Sequence, residues 1–338
     1  MATTPPYSPA VQLTEHALAY LHSAALRAAA LLGVADHLAD GPRTAEELAA
    51  ATGTDAAHLR RALRLLATRD VFRENPDGTF HLTPAADPLR SDAPSSMRDA
   101  VIMLTDEPFW RPAGQLADTV RSGRTVFEDI FGAPYFGHLE RVPEAGAVFD
   151  TGMAGLAESE NDPVAAAYDF PATGTVVDVG GGRGGLLRQV LLRNPGLTGI
   201  LHDQEAVLRH HTLDHPDLAG RWQTDPGDFF TAVPPGADVY LLKRILHDWH
   251  DDDCLHILRT CRTAMTRPGS RLLIVDAVLP QGNDAHPGKT MDILMMTSLN
   301  GRERDEPAFH HLLTEAGLEP ARTVPTESTL SIVEAVVG

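Results

Sequence analysis

The chain has 338 residues, 43% of them hydrophobic and 22% charged, so it is long enough for two folded domains and too apolar for a disordered protein. Its formal net charge of -18 at pH 7 argues against nucleic acid as a partner, because the surface repels a phosphate backbone. No segment reaches the roughly 18 consecutive apolar residues of a membrane-spanning helix, and the first residues lack the pattern of a signal peptide. We therefore expect a cytoplasmic protein that does not bind membranes. Its two cysteines, Cys254 and Cys261, are expected on one helix and too far apart for a disulfide.

Residues 1–90 have the pattern of a winged helix-turn-helix. Thr44 and Glu47 have the spacing of a capping box, and Gly53 is placed to end that helix. The next helix, near 56–68, has an apolar stripe, and two short β runs at 71–72 and 80–82 flank a turn; the stripe consists of Leu59, Leu63 and Leu66. Such a fold binds DNA or serves as a structural or dimerising unit. The few arginines of the second helix, in an acidic chain, favour the second role.

Residues 91–170 mix helix and loop and are rich in aromatic side chains. These either form the core of a connector or the wall of an apolar pocket; they are Trp110, Phe127, Phe131, Tyr135, Phe136 and Phe149. From residue 171 onward the chain alternates between strand and helix patterns. The strand segments are TVVDVG, LTGILHD, ADVYLLK, RLLIVDAVL and STLSIVEAVV. This alternation predicts an α/β domain with an open, mostly parallel sheet and helices on both faces.

A glycine-rich turn follows the first of these strands. Gly180, Gly182 and Gly185 match the dinucleotide fingerprint, and Asp203 ends the next strand, where an acid that binds ribose is expected. Nicotinamide, flavin and S-adenosylmethionine sites all share this geometry. Three other features favour a zwitterionic ligand with an adenosine end: the carboxylate of Asp178, the segment GDFF at 227–230, and the ammonium of Lys243.

The stretch RILHDWHDDDC raises two alternatives, a metal site or a general base. His247 and His250 would share a helix face with Asp251, but the spacing matches no common zinc motif. The aspartates at 251–253 suit the first turn of a helix, where negative charge is favourable. A neutral imidazole, with an unperturbed pKa of about 6.5, is well matched to removing a proton at neutral pH, and His247 is expected at the carboxyl edge of the sheet, where ligands bind. We therefore favour His247 as a general base and expect no bound metal.

Together these motifs resemble the S-adenosylmethionine-dependent small-molecule O-methyltransferases of the caffeic-acid and acetylserotonin type, including their actinomycete natural-product branch. The resemblance covers nearly the whole chain and is carried by DVGGGRG, Asp203, GDFF, LLKRILHDWHDDD, DAVLP, MDILMMTSLNGRER and SIVEA. It implies a Rossmann-like class I methyltransferase domain at 171–338, with a seven-stranded, mostly parallel sheet and an antiparallel last strand. It also implies an N-terminal winged-helix dimerisation domain at 1–90, a homodimer, and a helical connector at 91–170 that lines the substrate pocket.

The resemblance also assigns roles to individual residues. His247 is the base, with Asp276 and Glu303 as flanking acids, and Asp276 is the less certain because plant relatives usually carry glutamate there. The implied cofactor is S-adenosylmethionine, with S-adenosylhomocysteine as product, and its contacts are Asp178, Gly180, Gly182, Asp203, Asp228, Phe229 and Lys243. The implied acceptor-side residues are Met103, Phe149, Met153, Met295 and Met296, although a methionine or an aromatic residue at such positions also serves as core filling. Leu104 replaces a polar amide of the plant enzymes, which favours a different aromatic acceptor, such as a polyketide-derived phenol.

Alternative functions stay open on the sequence alone. A nicotinamide-dependent oxidoreductase would use the same sheet and glycine turn. A non-methylating enzyme on the methyltransferase fold would keep the cofactor site. A DNA-binding regulator would use the winged helix and sense a small molecule through the second domain, which the net charge disfavours.

Overall fold

The computed structural model describes residues 7–338, and the chain forms two compact units. The first unit extends to Glu107 and includes Gly146–Gly155, whereas the second comprises Pro108–Ala145 and Leu156–Gly338. The functional boundaries expected after residues 90 and 170 stay a prediction. Across residues 7–338, every helix is too short or too polar to cross a membrane.

The first unit contains helices and one small hairpin. Its elements are α1 (Pro9–Ala17), α2 (Tyr20–Leu31), α3 (Val34–His37), α4 (Ala45–Thr52), α5 (Ala56–Ala67), β1 (Phe72–Glu74), β2 (Phe80–Leu82) and α6 (Arg98–Leu104). The predicted capping box is confirmed, because Thr44 and Glu47 exchange hydrogen bonds and Gly53 ends α4 with a left-handed φ of 67°. β1 and β2 pair antiparallel, which confirms the predicted wing.

Apolar side chains of the first two helices face outward. No residue of α1 is buried, and Leu13 and Tyr20 are 71% and 52% exposed. Val11, Leu18, Leu21 and Leu31 are exposed in the same way. A cluster of exposed aliphatic and aromatic residues is costly in water, so this surface is suited to being covered by another protein surface.

The helices of the second unit begin with a connector and continue around the sheet. They are α7 (Glu107–Ala113), α8 (Leu116–Ser122), α9 (Phe127–Phe131), α10 (Tyr135–Arg141), α11 (Pro143–Ala167), α12 (Gly185–Arg193), α13 (Glu205–Leu208), α14 (Asp251–Ala264), α15 (Pro287–Ser298) and α16 (Glu306–Glu315). Of these residues, Glu107 and the Gly146–Gly155 part of α11 belong to the first unit. Among the connector aromatics, Phe127 and Tyr135 are buried, whereas Trp110 and Phe136 are exposed. Cys254 and Cys261 both lie on α14 as buried free thiols, as predicted.

A seven-stranded sheet forms the centre of the second unit. Its strands are β3 (Gly174–Val179), β4 (Leu197–Asp203), β5 (Trp222–Pro226), β6 (Val239–Lys243), β7 (Arg271–Asp276), β8 (Leu318–Pro325) and β9 (Ser331–Val337), in the order β5-β4-β3-β6-β7-β9-β8. β9 is antiparallel to both of its neighbours, and the five strands from β5 to β7 are mutually parallel. This confirms the predicted fold class. The alternation of strand patterns did not identify β5 and β8, because both are edge strands with polar residues and prolines.

Alternate residues of the central strands pack on opposite faces of the sheet. Tyr240 and Leu242 of β6 belong to a cluster with α14 and α16, whereas Val239 and Leu241 belong to a second cluster with α12. Because parallel strands end at the same edge, the carboxyl ends of β3, β4, β6 and β7 lie together. Several predicted site residues lie at or next to these ends, namely Asp178, Gly180, Gly182, Asp203, Lys243, His247 and Asp276.

Candidate active site

The glycine turn after β3 is built from conformations that favour glycine. Gly180 and Gly182 have φ values of 66° and 58°, in the left-handed region. A Cβ at Gly180 would lie 2.6 Å from Ile245 Cδ1 and 3.3 Å from Phe229 Cε1, so the turn also needs the missing side chain. The same distances place Phe229 beside the glycine turn.

Asp178 is a buried carboxylate that has no ion-pair partner within hydrogen-bond distance. It is 1% exposed, and neither carboxylate oxygen accepts a hydrogen bond of normal geometry. Burial raises its pKa to about 7, and the nearby charge of Lys243 limits the rise. An orphaned buried carboxylate is costly unless a cationic group meets it, so Asp178 suits the amino group of a ligand.

Asp203 and the GDFF segment lie on the other side of the glycine turn. Asp203 Oδ2 accepts from the Gly182 N–H at 2.8 Å, and its Oδ1 accepts from the Gln204 N–H at 2.7 Å. The Gly227 N–H donates to the Asp203 carbonyl oxygen at 3.0 Å, which ties the two segments together. Asp228 is exposed, and its carboxylate accepts from a main-chain N–H within the segment. The structure therefore brings these predicted cofactor residues into one region.

Lys243 has an ion-pair partner that sequence reasoning missed. Its Nζ lies 3.2 Å from Glu160 Oε2 and donates to Asn161 Oδ1 at 2.9 Å. Glu160 also accepts from Arg244 Nε at 3.0 Å, so one buried glutamate neutralises two adjacent cations. Burial lowers the pKa of Lys243, and Glu160 opposes that effect. Glu160 lies on α11, more than 80 residues before the lysine, and no motif marks it.

His247 lies in a single 3₁₀ turn, Leu246–Asp248, directly after β6. It is 5% exposed; its Nδ1 lies 2.9 Å from Glu303 Oε1, and its Nε2 lies 3.4 Å from Asp248 Oδ1. Since a carboxylate can only accept, the Nδ1 position carries a hydrogen, and Nε2 remains to take up a proton. Burial alone would lower the pKa of His247, but Asp248, Glu303 and Asp276 together raise it to about 9.

The acids around His247 differ in their contacts. Asp276, at the end of β7, is fully buried, and neither of its oxygens accepts a hydrogen bond. Burial raises its pKa to about 7, and burial likewise raises the pKa of Asp248 to about 6. Glu303 thus makes the contact with the ring, whereas neither oxygen of Asp276 makes one. Asp248 was not predicted as a site residue, although its place next to His247 was a visible signal.

His247 belongs to a cluster of possible metal ligands that does not include His250. His247, Asp276 and Glu303 offer ligand atoms that all lie within 4.8 Å of one another. His250 is exposed at the start of α14, and Asp251–Asp253 occupy the first turn of that helix, as predicted. The hydrogen bond from His247 Nδ1 to Glu303 is an arrangement that can fix the orientation of an imidazole ring.

The predicted acceptor-side residues divide between the two units. In the second unit, Met295 is buried in α15, and Met296 lines a cleft of about 730 Å³ together with Asp292, Gly301 and Glu303. The other three belong to the first unit: Met103, Phe149 and Met153. Met103 is 2% exposed and packs on Gly152.

Comparison with known proteins decides the family. Residues 113–319 match the model of the O-methyltransferase domain, and residues 14–92 match the O-methyltransferase dimerisation domain. The chain belongs to the O-methyltransferase family. It is 43% identical to phenazine O-methyltransferase PhzM of Lysobacter antibioticus over 94% of this chain and 93% of that protein. The crystal structure of CalO1, a methyltransferase of calicheamicin biosynthesis in its S-adenosylhomocysteine-bound form, has a TM-score of 0.92 and 48% identity, covering 98% of this chain and 100% of CalO1.

The family also includes a relative that methylates nitrogen. The 8-amino-8-demethylriboflavin N,N-dimethyltransferase of Streptomyces davaonensis is 36% identical over 91% of this chain and 90% of that protein. Membership in the O-methyltransferase family excludes the nicotinamide-dependent oxidoreductase as the interpretation of the glycine turn.

Proposed function

We propose that this O-methyltransferase transfers a methyl group from S-adenosylmethionine to a hydroxyl of an aromatic, polyketide-type small molecule in natural-product biosynthesis, with His247 as general base. The observation that carries the proposal is the buried His247–Glu303 pair, with Nε2 of the ring turned away from its partner. A phenol holds its proton at neutral pH, so an oxygen acceptor needs a base at this position.

The residues of the cofactor region fit S-adenosylmethionine. Asp178 offers an unpartnered carboxylate for the amino group, and the left-handed turn at Gly180 and Gly182 allows close approach to the backbone. Asp203, Asp228 and Phe229 are assigned to the adenosine end, and Lys243 to the carboxylate. When bound, the cofactor supplies a methyl group on a sulfonium sulfur, which leaves as a neutral thioether.

The protein's own contribution is proton transfer and positioning. His247 Nε2 takes the hydroxyl proton as the oxygen forms its bond to carbon, and the ring becomes an imidazolium. Glu303, on Nδ1, stabilises that imidazolium, and Asp276 adds negative charge without a direct hydrogen bond. A base of this kind contributes about 10²–10⁴-fold, and alignment of the reacting atoms in a dry site contributes the larger part.

An amine acceptor is the second candidate, since one relative is named as an N,N-dimethyltransferase. A neutral amine already has a free lone pair, so it does not need proton removal before attack. The hydrogen-bonded, acid-flanked His247 therefore favours oxygen. Met295 and Met296 are proposed on the acceptor side within the second unit, and Met103, Phe149 and Met153 within the first.

A homodimer in the cytoplasm is part of this proposal. The match to a dimerisation domain at 14–92 and the exposed apolar side chains of α1 and α2 support self-association. Light scattering at micromolar protein concentration tests it, and a monomer would contradict it. The buried, unpaired Cys254 and Cys261 fit a reducing compartment.

The first experiment is calorimetric titration with S-adenosylhomocysteine and, as control, NAD. We expect the first alone to bind. Aromatic hydroxyl compounds are then screened with S-adenosylmethionine by mass spectrometry, and His247→Ala is compared with wild type. Cofactor binding with no turnover in this variant supports the base; near wild-type turnover contradicts it. Consumption of the cofactor without a methylated product would indicate a non-methylating reaction.

A further inference from the structure

Four consecutive residues after α15 hold the turn that carries His247. A Cβ on Gly301 would overlap the carbonyl oxygen of His247, and the Arg302 N–H donates to that same oxygen at 2.8 Å. Glu303 contacts the imidazole ring, as described above. The guanidinium of Arg304 then reaches the main chain on both sides of the histidine. We call residues 301–304 the clamp segment.

Arg304 donates hydrogen bonds to the main chain at both ends of the 3₁₀ turn, Leu246–Asp248. Its Nη1 donates to the carbonyl oxygen of Leu246 at 2.7 Å, and its Nη2 donates to the carbonyl oxygen of Trp249 at 3.0 Å. Nη2 also donates to Asp251 Oδ1 at 2.7 Å, at the first residue of α14. Main-chain groups before and after His247 are therefore fixed by one planar side chain. The planar fork of arginine can make these bonds at once, whereas lysine offers a single nitrogen.

Burial makes this arrangement unusual for a cation. The Arg304 side chain is 1% exposed, and Asp251 is the carboxylate that pairs with it. A buried cation is retained only where its hydrogen bonds are well satisfied. Two of the acceptors of Arg304 are the main-chain carbonyls that flank His247, and the others are Asp251, Arg302 and Cys254. By contrast, the Arg302 side chain is 53% exposed and contacts Asp251 but no carbonyl of the turn. The two arginines thus share one anion and differ in their contact with the turn.

We propose that Arg304 is a positioning residue that sets the orientation of His247 for proton abstraction. The inference rests on the function proposed above, since it needs His247 to act as the base. Glu303 and Arg304 are neighbours in the chain, so a main-chain shift that follows loss of the Arg304 hydrogen bonds would also displace the carboxylate that holds the ring. A displacement of about 1 Å at a catalytic group costs on the order of 100-fold in rate.

The test compares Arg304→Lys and Arg304→Gln with Arg302→Ala. The Arg302 substitution removes a side chain that shares Asp251 but keeps the main-chain N–H that donates to the His247 carbonyl oxygen. For both Arg304 variants we expect kcat to fall by about 30- to 100-fold, while the affinity for S-adenosylhomocysteine stays within about threefold of wild type, since Arg304 contacts no predicted cofactor residue. The Arg302 variant should lose less than about threefold in kcat, as expected for an exposed ion pair.

The pH profile separates positioning from a general loss of structure. The His247 ring interacts with Asp248, Asp276 and Glu303, and the charge of Arg244 also acts on Asp276 and Glu303. If the turn becomes looser in the Arg304 variants, the contact with Glu303 weakens and the pKa of His247 falls. The acid limb of the kcat/KM profile, where His247 becomes protonated, should therefore move to lower pH. A residue that only supports folding would lower activity without moving that limb.

Several outcomes would overturn the inference. These are unchanged kcat in both Arg304 variants, parallel loss of kcat and cofactor affinity, an unmoved pH profile, or failure of both variants to fold. In the last case the guanidinium would be needed by the whole unit rather than by the turn. Failure of the proposed function looks different, because wild-type protein would then fail to bind S-adenosylhomocysteine or His247→Ala would remain active.

Discussion

Replacement of Glu303 by glutamine isolates the charge on the carboxylate that orients the base. Glu303→Gln keeps the size of the side chain and an oxygen near His247 Nδ1, but it removes the negative charge 2.9 Å from the ring. The Glu303 side chain is fully buried, so solvent does not screen the loss. A hydrogen bond to a charged group contributes about 1.5–3 kcal/mol, and each 1.4 kcal/mol is a factor of ten. We therefore expect kcat to fall by about 10- to 100-fold.

The assay is turnover of the best aromatic acceptor at saturating S-adenosylmethionine, followed by mass spectrometry. Glu306→Gln is the matched control, because Glu306 is exposed three residues further on. Asp276→Asn should cost less than Glu303→Gln, since Asp276 makes no hydrogen bond to the ring. Activity of Glu303→Gln within twofold of wild type, or a parallel loss of cofactor binding, would refute the role of Glu303 in orienting the base.

Three further predictions concern the pH dependence of catalysis, the Asp178 carboxylate at the cofactor site, and metal ions. Since the pKa of His247 is raised to about 9 and the imidazolium cannot accept a proton, kcat/KM should rise with pH up to about 9; a profile already flat at neutral pH would contradict this. Asp178 has a pKa of about 7 and should be ionised when it meets a cation, so calorimetry should show weaker S-adenosylhomocysteine binding below that pH. Asp178→Asn should weaken binding by about 10- to 100-fold and remove this pH dependence; binding equal to wild type would exclude the contact. Dialysis against a chelator should leave turnover unchanged, and a loss restored by a divalent cation would instead make His247, Asp276 and Glu303 metal ligands.

Several features of this protein could be predicted because they depend on local spacing. The capping box at Thr44, the glycine turn after β3 and the central strands each follow from residues close together in the chain. The same holds for His247, which comes just after a buried strand whose end lies at the ligand edge of a parallel sheet. The edge strands β5 and β8 escaped recognition, because an edge tolerates prolines and polar residues on both faces.

Which charged side chains pair with one another could be determined only from the tertiary structure. Glu160 pairs with Lys243 and Arg244, which lie more than 80 residues later in the sequence. Arg304 donates to the Leu246 carbonyl oxygen, next to His247 and more than 50 residues earlier. The resemblance to a family suggested Glu303 beside His247, but the hydrogen bond, and the lack of one at Asp276, required coordinates. Desolvation of Asp178 is likewise invisible in a motif, since a raised pKa depends on everything that excludes water from the carboxylate. Residue spacing therefore determined which side chains reach the sheet edge, and three-dimensional packing determined their partners and their charge.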